Sequence, residues 1–169
     1  IVGLVSAWPA IGRAQSADMP VIGFLSSGSK ADRQDQVDAF LRGLKEAGRK
    51  VGENLVIEYR WANGNYDRLP RLAGELVNRR VTVLYTSGGS VSALAAKDAT
   101  KTIPIVIWVA WDPVRTGLVA SLSRPGGNVT GLSLLGPEID AKRLALLREL
   151  VPGLQRVGVL ETANLYYHR

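Results

Sequence analysis

Two short polar runs, Ser26-Ser27-Gly28-Ser29 and Ser87-Gly88-Gly89-Ser90, each follow an apolar stretch and precede an amphipathic one. Serine hydroxyls donate and accept hydrogen bonds, and glycine lets a ligand approach the backbone. The first N–H groups of a following helix are unpaired and electropositive, so each run suits a carboxylate or phosphate, with the amides of Gly28 and Gly89 as its donors. Taken singly, either run serves equally well as an ordinary helix cap. A third run, Ala110-Trp111-Asp112-Pro113, adds a ring that stacks a ligand or packs between helix and sheet, and a carboxylate that reads as a cap for the segment after Pro113. Trp108 reads as core.

Other chemistries are excluded by residue type. Neither G-x-G-x-x-G nor G-x-x-x-x-G-K-[ST] follows any apolar run, and no G-x-S-x-G occurs. The single His, His168, stands next to the last residue, which leaves no base for a Ser/His/Asp triad. With no Cys among 169 residues, thiol catalysis, disulfides, iron–sulfur ligation and a Cys-anchored lipid are ruled out for this chain, and no metal-ligand spacing emerges. Neither a metal nor a cofactor is expected. Lys plus Arg number 21 against 15 Asp plus Glu, a net charge of +6, but these basic residues are scattered among acidic and apolar ones, so nucleic acid is not an expected partner.

The elements that position the three runs follow from periodicity. Val21–Leu25 is a buried strand ending in the first run. Val37, Phe40, Leu41 and Leu44 recur at helical spacing, with Ser29 and Asp32 as capping oxygens and Gly48 as the stop. Leu55, Ile57, Tyr59 and Trp61 alternate with Val56, Glu58 and Arg60, the period of a half-exposed edge strand. Asp67 caps a helix bearing Leu69, Leu72, Ala73, Leu76 and Val77, and Pro70 falls harmlessly in its first turn. Strand 81–86, helix 91–99, a doubly buried strand 103–109, a helix opened by Asp112-Pro113 and carrying Val114, Leu118, Val119 and Leu122, strand 129–133, a helix from Pro137 and strand 156–160 complete the pattern. Such alternation predicts an α/β fold, a Rossmann-like parallel sheet with helices on both faces, whose ligands sit at the carboxyl ends of the strands. All three runs lie at those ends.

Several segments taken in order are more specific than a generic α/β pattern: Phe40-Leu41-Arg42-Gly43-Leu44, Leu69-Pro70-Arg71-Leu72-Ala73, Asp112-Pro113-Val114, Gly117-Leu118-Val119 and Arg124-Pro125-Gly126-Gly127-Asn128-Val129-Thr130-Gly131. From residue 20 to 160 the chain resembles the ABC-transporter substrate-binding proteins of the tryptophan/tyrosine-transport type. That resemblance implies a type I periplasmic binding protein: two Rossmann-like lobes joined by a hinge, monomeric at full length, trapping a small molecule such as an amino acid or related carboxylate and delivering it to an ABC permease in the inner membrane. It implies a binding protein, not an enzyme. On it, residues 17–134 are the first lobe, and residues 135–169 are the hinge and the start of a truncated second lobe. The expected ligand contacts are Ser26, Ser27, Gly28, Ser29, Ser87, Gly88, Gly89, Ser90, Trp111 and Asp112. An alternative from another class is an exported small-molecule hydrolase on a flavodoxin-like sheet, with Asp112 as its acid.

Ile1–Gly12 is apolar and small, broken by Pro9, and too short to span ~30 Å of hydrocarbon. With Ala14 and Ser16 behind it, residues 1–16 read as the end of a cleavable secretory signal, which places the mature protein in the periplasm, not as a lipoprotein. Mass spectrometry of periplasmic material should find a mature N-terminus at Ala17; protein retained in the cytosol with Ile1 intact would contradict export.

Overall fold

Phe24 is wholly buried and its ring meets four others: Tyr59, Trp61 and Tyr85, each with centroids 5.2 Å away, and Phe40 at 5.6 Å. The cluster marks the centre of a five-stranded, all-parallel sheet, seen in a computed structural model that describes residues 19–134 and 136–158, of 136–138 the backbone only. Its strands are β1 (Val21–Ser26), β2 (Val56–Trp61), β3 (Val83–Ser87), β4 (Ile105–Val109) and β5 (Val129–Ser133), in the spatial order β2-β1-β3-β4-β5. The helices are α1 (Gln34–Glu46), α2 (Leu69–Asn78), α3 (Ser90–Ala99) and α4 (Gly136–Leu150).

Register sorts side chains between the two faces. Phe24 is opposite Tyr59 on one side and Tyr85 on the other, so an aromatic row crosses three strands, and α1 covers it through Phe40. The other face carries Leu25, Leu84, Ile105, Ile107 and Val129, packed with Leu69, Leu72, Ala73 and Leu76 of α2 and Ala93 and Ala96 of α3. On that side the Arg60 guanidinium donates from Nε to Glu75 at 2.8 Å, tying β2 to α2 and holding the Glu75 carboxyl below its ordinary range.

The expected helix stop at Gly48 is present: at φ +74° its N–H donates to Lys45, and that of Arg49 donates to Leu44, the paired bonds of a left-handed helix terminus. The same device overturns the helix expected over residues 112–122. Gly117, at φ +72°, donates to the Val114 carbonyl and Leu118 donates to that of Pro113, so the segment closes after one turn and continues as turns. Glycine in the fifth place after Asp112 outweighed the apolar spacing. Asp67 also does not cap α2: Asn65 accepts from the Asp67 N–H, a 3-10 turn over Tyr66–Arg68 follows, and α2 begins at Leu69.

Two further corrections concern burial and extent. Trp108 is 38% exposed, not core, and Val106 on the same face is half-buried, because α1 covers β1 to β3 and does not reach β4. Residues 156–158 carry no regular structure, so the strand expected over 156–160 is not formed there; its last two positions, like residues 1–18 with the proposed signal, lie outside the described residues. Because Phe24 contacts every other ring in the cluster, Phe24→Ala should destabilise the chain by ~3–5 kcal/mol in urea unfolding. A loss below ~1 kcal/mol would mean that the cluster relaxes around the void.

Candidate functional site

β1 and β3 are neighbours, so their carboxyl-end loops meet. The Ser27 N–H donates to the Ser87 carbonyl at 3.3 Å and the Ser27 hydroxyl donates to the Gly88 carbonyl at 2.7 Å. Gly88 and Gly89 both have positive φ, +88° and +96°, and Gly89 combines this with ψ −173°, a region that only glycine occupies readily. A Cβ on Gly88 would overlap the Ser27 hydroxyl and approach its backbone nitrogen to 3.1 Å. The two polar runs are thus a single clamped surface.

Within the first loop Ser26 and Ser27 are buried, and Ser26 Oγ accepts from the Gly28 N–H at 3.2 Å, so that amide already has a partner. The Ser29 N–H and hydroxyl both donate to the Asp32 carboxylate, and Ser29 Oγ accepts from the Asp32 N–H. These bonds, with the hydroxyl's first, hold the Asp32 carboxyl below its ordinary range. Ser29 and Asp32 bond each other around the 3-10 turn and do not cap α1 as expected: that helix starts at Gln34, behind Arg33, with no side-chain cap. Ser87 is buried, and its hydroxyl donates to Gln36 Oε1 of α1 at 2.9 Å. Ser90 opens α3 behind Gly89; its hydroxyl is buried and meets no partner among the described residues.

Trp111 and Asp112 lie on the same sheet edge, one strand beyond β3. Their hydrogen bonds run away from the Ser/Gly loops: Ser133 Oγ donates to the Trp111 carbonyl at 2.9 Å, and Asp112 Oδ1 accepts from the Val114 N–H at 2.8 Å. Asp112 is therefore a turn cap, as its place before Pro113 suggested, while the Trp111 ring is 38% exposed. A concavity of about 100 Å³ lies farther along, between residues 113–125 and β5, lined by Ile107, Pro113, Val119, Leu122 and Leu132 among others. It is below the ~300–1,000 Å³ of ligand sites, and residues 26–29 and 87–90 do not line it.

Three contributors to this edge escaped the sequence reading. Asn63, at φ +54°, donates its N–H to the Gly28 carbonyl, and Gly64 donates to that of Ser27, so the turn after β2 buttresses the first loop. The Asn63-Gly64 pair behind an alternating strand was a legible turn signal. Gln36 and Arg33 sit on exposed-looking stretches near the start of α1, and no spacing rule marks them.

A family model described as ABC transporter substrate binding protein matches residues 19–165. The chain belongs to that family. Over 121 residues it is 37% identical to a tyrosine-binding protein of Clostridioides difficile, an alignment covering 72% of this chain and 34% of that protein. Among solved structures, a conserved domain protein from Vibrio cholerae superposes with a TM-score of 0.71 at 33% identity, covering 80% of this chain and 45% of that one. A ligand-free, open substrate-binding protein with adhesive properties from Clostridium difficile gives 0.65 at 30%, with 79% and 44% covered. A Streptococcus domain in complex with L-Trp gives 0.62 at 27%, with 68% and 38% covered. The chain thus spans between a third and a half of these relatives. The family, the tyrosine-binding relative and the L-Trp complex point to binding proteins rather than enzymes, and nothing among them supports the hydrolase alternative.

The clamp predicts a specific asymmetry among glycines. Gly52 also has positive φ, +84°, but a Cβ there meets nothing within 4 Å. Gly52→Ala should cost ~1 kcal/mol, and Gly88→Ala ~2–3 kcal/mol, in urea unfolding. Equal losses would show that the two loops are not sterically interlocked.

Proposed function

We propose that residues 19–134 form one wall of a two-lobed solute trap, and that the protein captures a small molecule, an amino acid or related carboxylate, for an ABC permease in the membrane. The observation that carries this reading is the clamped pair of Ser/Gly loops at the carboxyl edge, with the buried Ser90 hydroxyl at the first turn of α3. Backbone N–H groups at a helix start and an unpaired hydroxyl suit an anion far better than a cation. The tyrosine-binding relative and the L-Trp complex support an aromatic amino acid as the solute, with the exposed Trp111 ring placed for stacking. Substrate-binding proteins of ABC importers work in the periplasm or outside the cell, which agrees with the apolar leader at residues 1–16 and cleavage there.

The hinge is proposed at residues 134–137, with α4 as the first element of the second lobe. Its exposed Leu144, Leu146, Leu147 and Leu150, and the exposed Val157 beyond it, support a partner surface supplied by further polypeptide. A single open wall leaves much of a ligand in water, whereas good sites bury ~70–90% of it. Calorimetry with L-tyrosine and L-tryptophan should therefore give a Kd of about micromolar or better for a two-lobe polypeptide and at least ~100-fold weaker binding for residues 17–169 alone. Tight binding by the single lobe would refute the two-wall reading.

A further inference from the structure

Resting on the solute-binding reading above, we propose that Arg33 is a specificity-determining residue of the site and selects solutes that carry a carboxylate. Arg33 ends the 3-10 turn Ala31–Arg33 ahead of α1, and its side chain folds back over the first Ser/Gly loop. A Cβ built on Gly28 would fall 2.9 Å from Arg33 Nε and 3.3 Å from its Cγ, so the absence of a side chain at Gly28 is what lets the guanidinium stem lie there. Gln36, in the first turn of α1, reaches the second loop through its bond from Ser87 Oγ. Arg33 and Gln36 together span the clamp formed by Ser27 and Gly88.

The Nε of Arg33 is shut off from solvent and meets no acceptor among the described residues. Buried donors without acceptors are rare because water has been removed and nothing replaces it. The neighbouring Asp32 carboxylate accepts from the Ser29 N–H and hydroxyl and makes no hydrogen bond to Arg33 Nε. The side chain lies against Gly28, in a loop of glycine backbone and serine hydroxyls suited to negative charge. A carboxylate is planar and accepts two parallel N–H bonds, so it would satisfy Nε together with the adjacent terminal nitrogen, which no lysine can reproduce. An amine solute would offer Nε no acceptor and would bring a like charge to it.

Paired ligands that differ only in the carboxylate test this: L-tyrosine against tyramine, and L-tryptophan against tryptamine, titrated into the two-lobe protein by calorimetry. The unmodified protein should bind the acids and reject the amines. Arg33→Gln should weaken the acids by about 30-fold or more, leave the amines no weaker than before, and so collapse the preference, with Arg33→Lys recovering only part of it. Gly28→Ala keeps the charge but pushes Nε off the loop, and it should reduce the same preference. Unchanged acid affinity in Arg33→Gln would overturn the role of Arg33 and leave the solute-binding reading standing, as would a variant that loses acids and amines equally. Failure of the unmodified two-lobe protein to bind either acid would overturn that reading and this inference with it.

Discussion

Parallel pairing is the constraint on which the rest depends. Because β1 through β5 all run the same way, each connection must cross the sheet, and every strand delivers its following loop to one edge. Placing β1 between β2 and β3 then sets the loops after residues 26 and 87 side by side, although they are 61 residues apart in sequence. Their contact is made of backbone and hydroxyl groups. It needs serine at 27 to reach the Gly88 carbonyl and glycine at 88 to leave room for the serine.

Coverage of the sheet is uneven, and the unevenness is informative. The face packed with α2 and α3 is buried from β1 through β4 and at Val129 of β5, while the aromatic face is covered by α1 only as far as β3. Beyond it Trp108 and Leu132 are exposed, the latter at 71%. Both share that face with the covered aromatic row, so its far side is left open and apolar among the described residues.

Local signals were legible where one physical term dominated. Strand and helix alternation and the Gly48 terminus could each be read because periodicity and left-handed glycine act over a few residues. Where two terms competed, the reading failed: apolar spacing over Val114, Leu118 and Val119 suggested a helix, but Gly117 ended it after one turn. Burial of Trp108 could not be read at all, since apolar character says nothing about which neighbour lies above a strand. The sheet edge of the candidate site was legible and its membership was incomplete. Arg33 and Gln36 join it through contacts with Gly28 and Ser87, which are set by how α1 enters the fold rather than by any spacing in the chain.

The bonding within the edge also decides which groups remain to recognise a solute. Ser27, Ser29 and Ser87 use their hydroxyl protons on Gly88, Asp32 and Gln36, and the Gly28 N–H is taken by Ser26. The most conspicuous serines are therefore scaffolding. On the reading proposed above, recognition falls to the first turn of α3, to the Ser90 hydroxyl and to the Arg33 guanidinium; the Ser90 hydroxyl and Arg33 Nε have no hydrogen-bond partner among the described residues. This division of labour favours affinity: a loop whose own hydrogen bonds are complete loses little conformational freedom when a ligand arrives, so the few unpaired donors act from fixed positions.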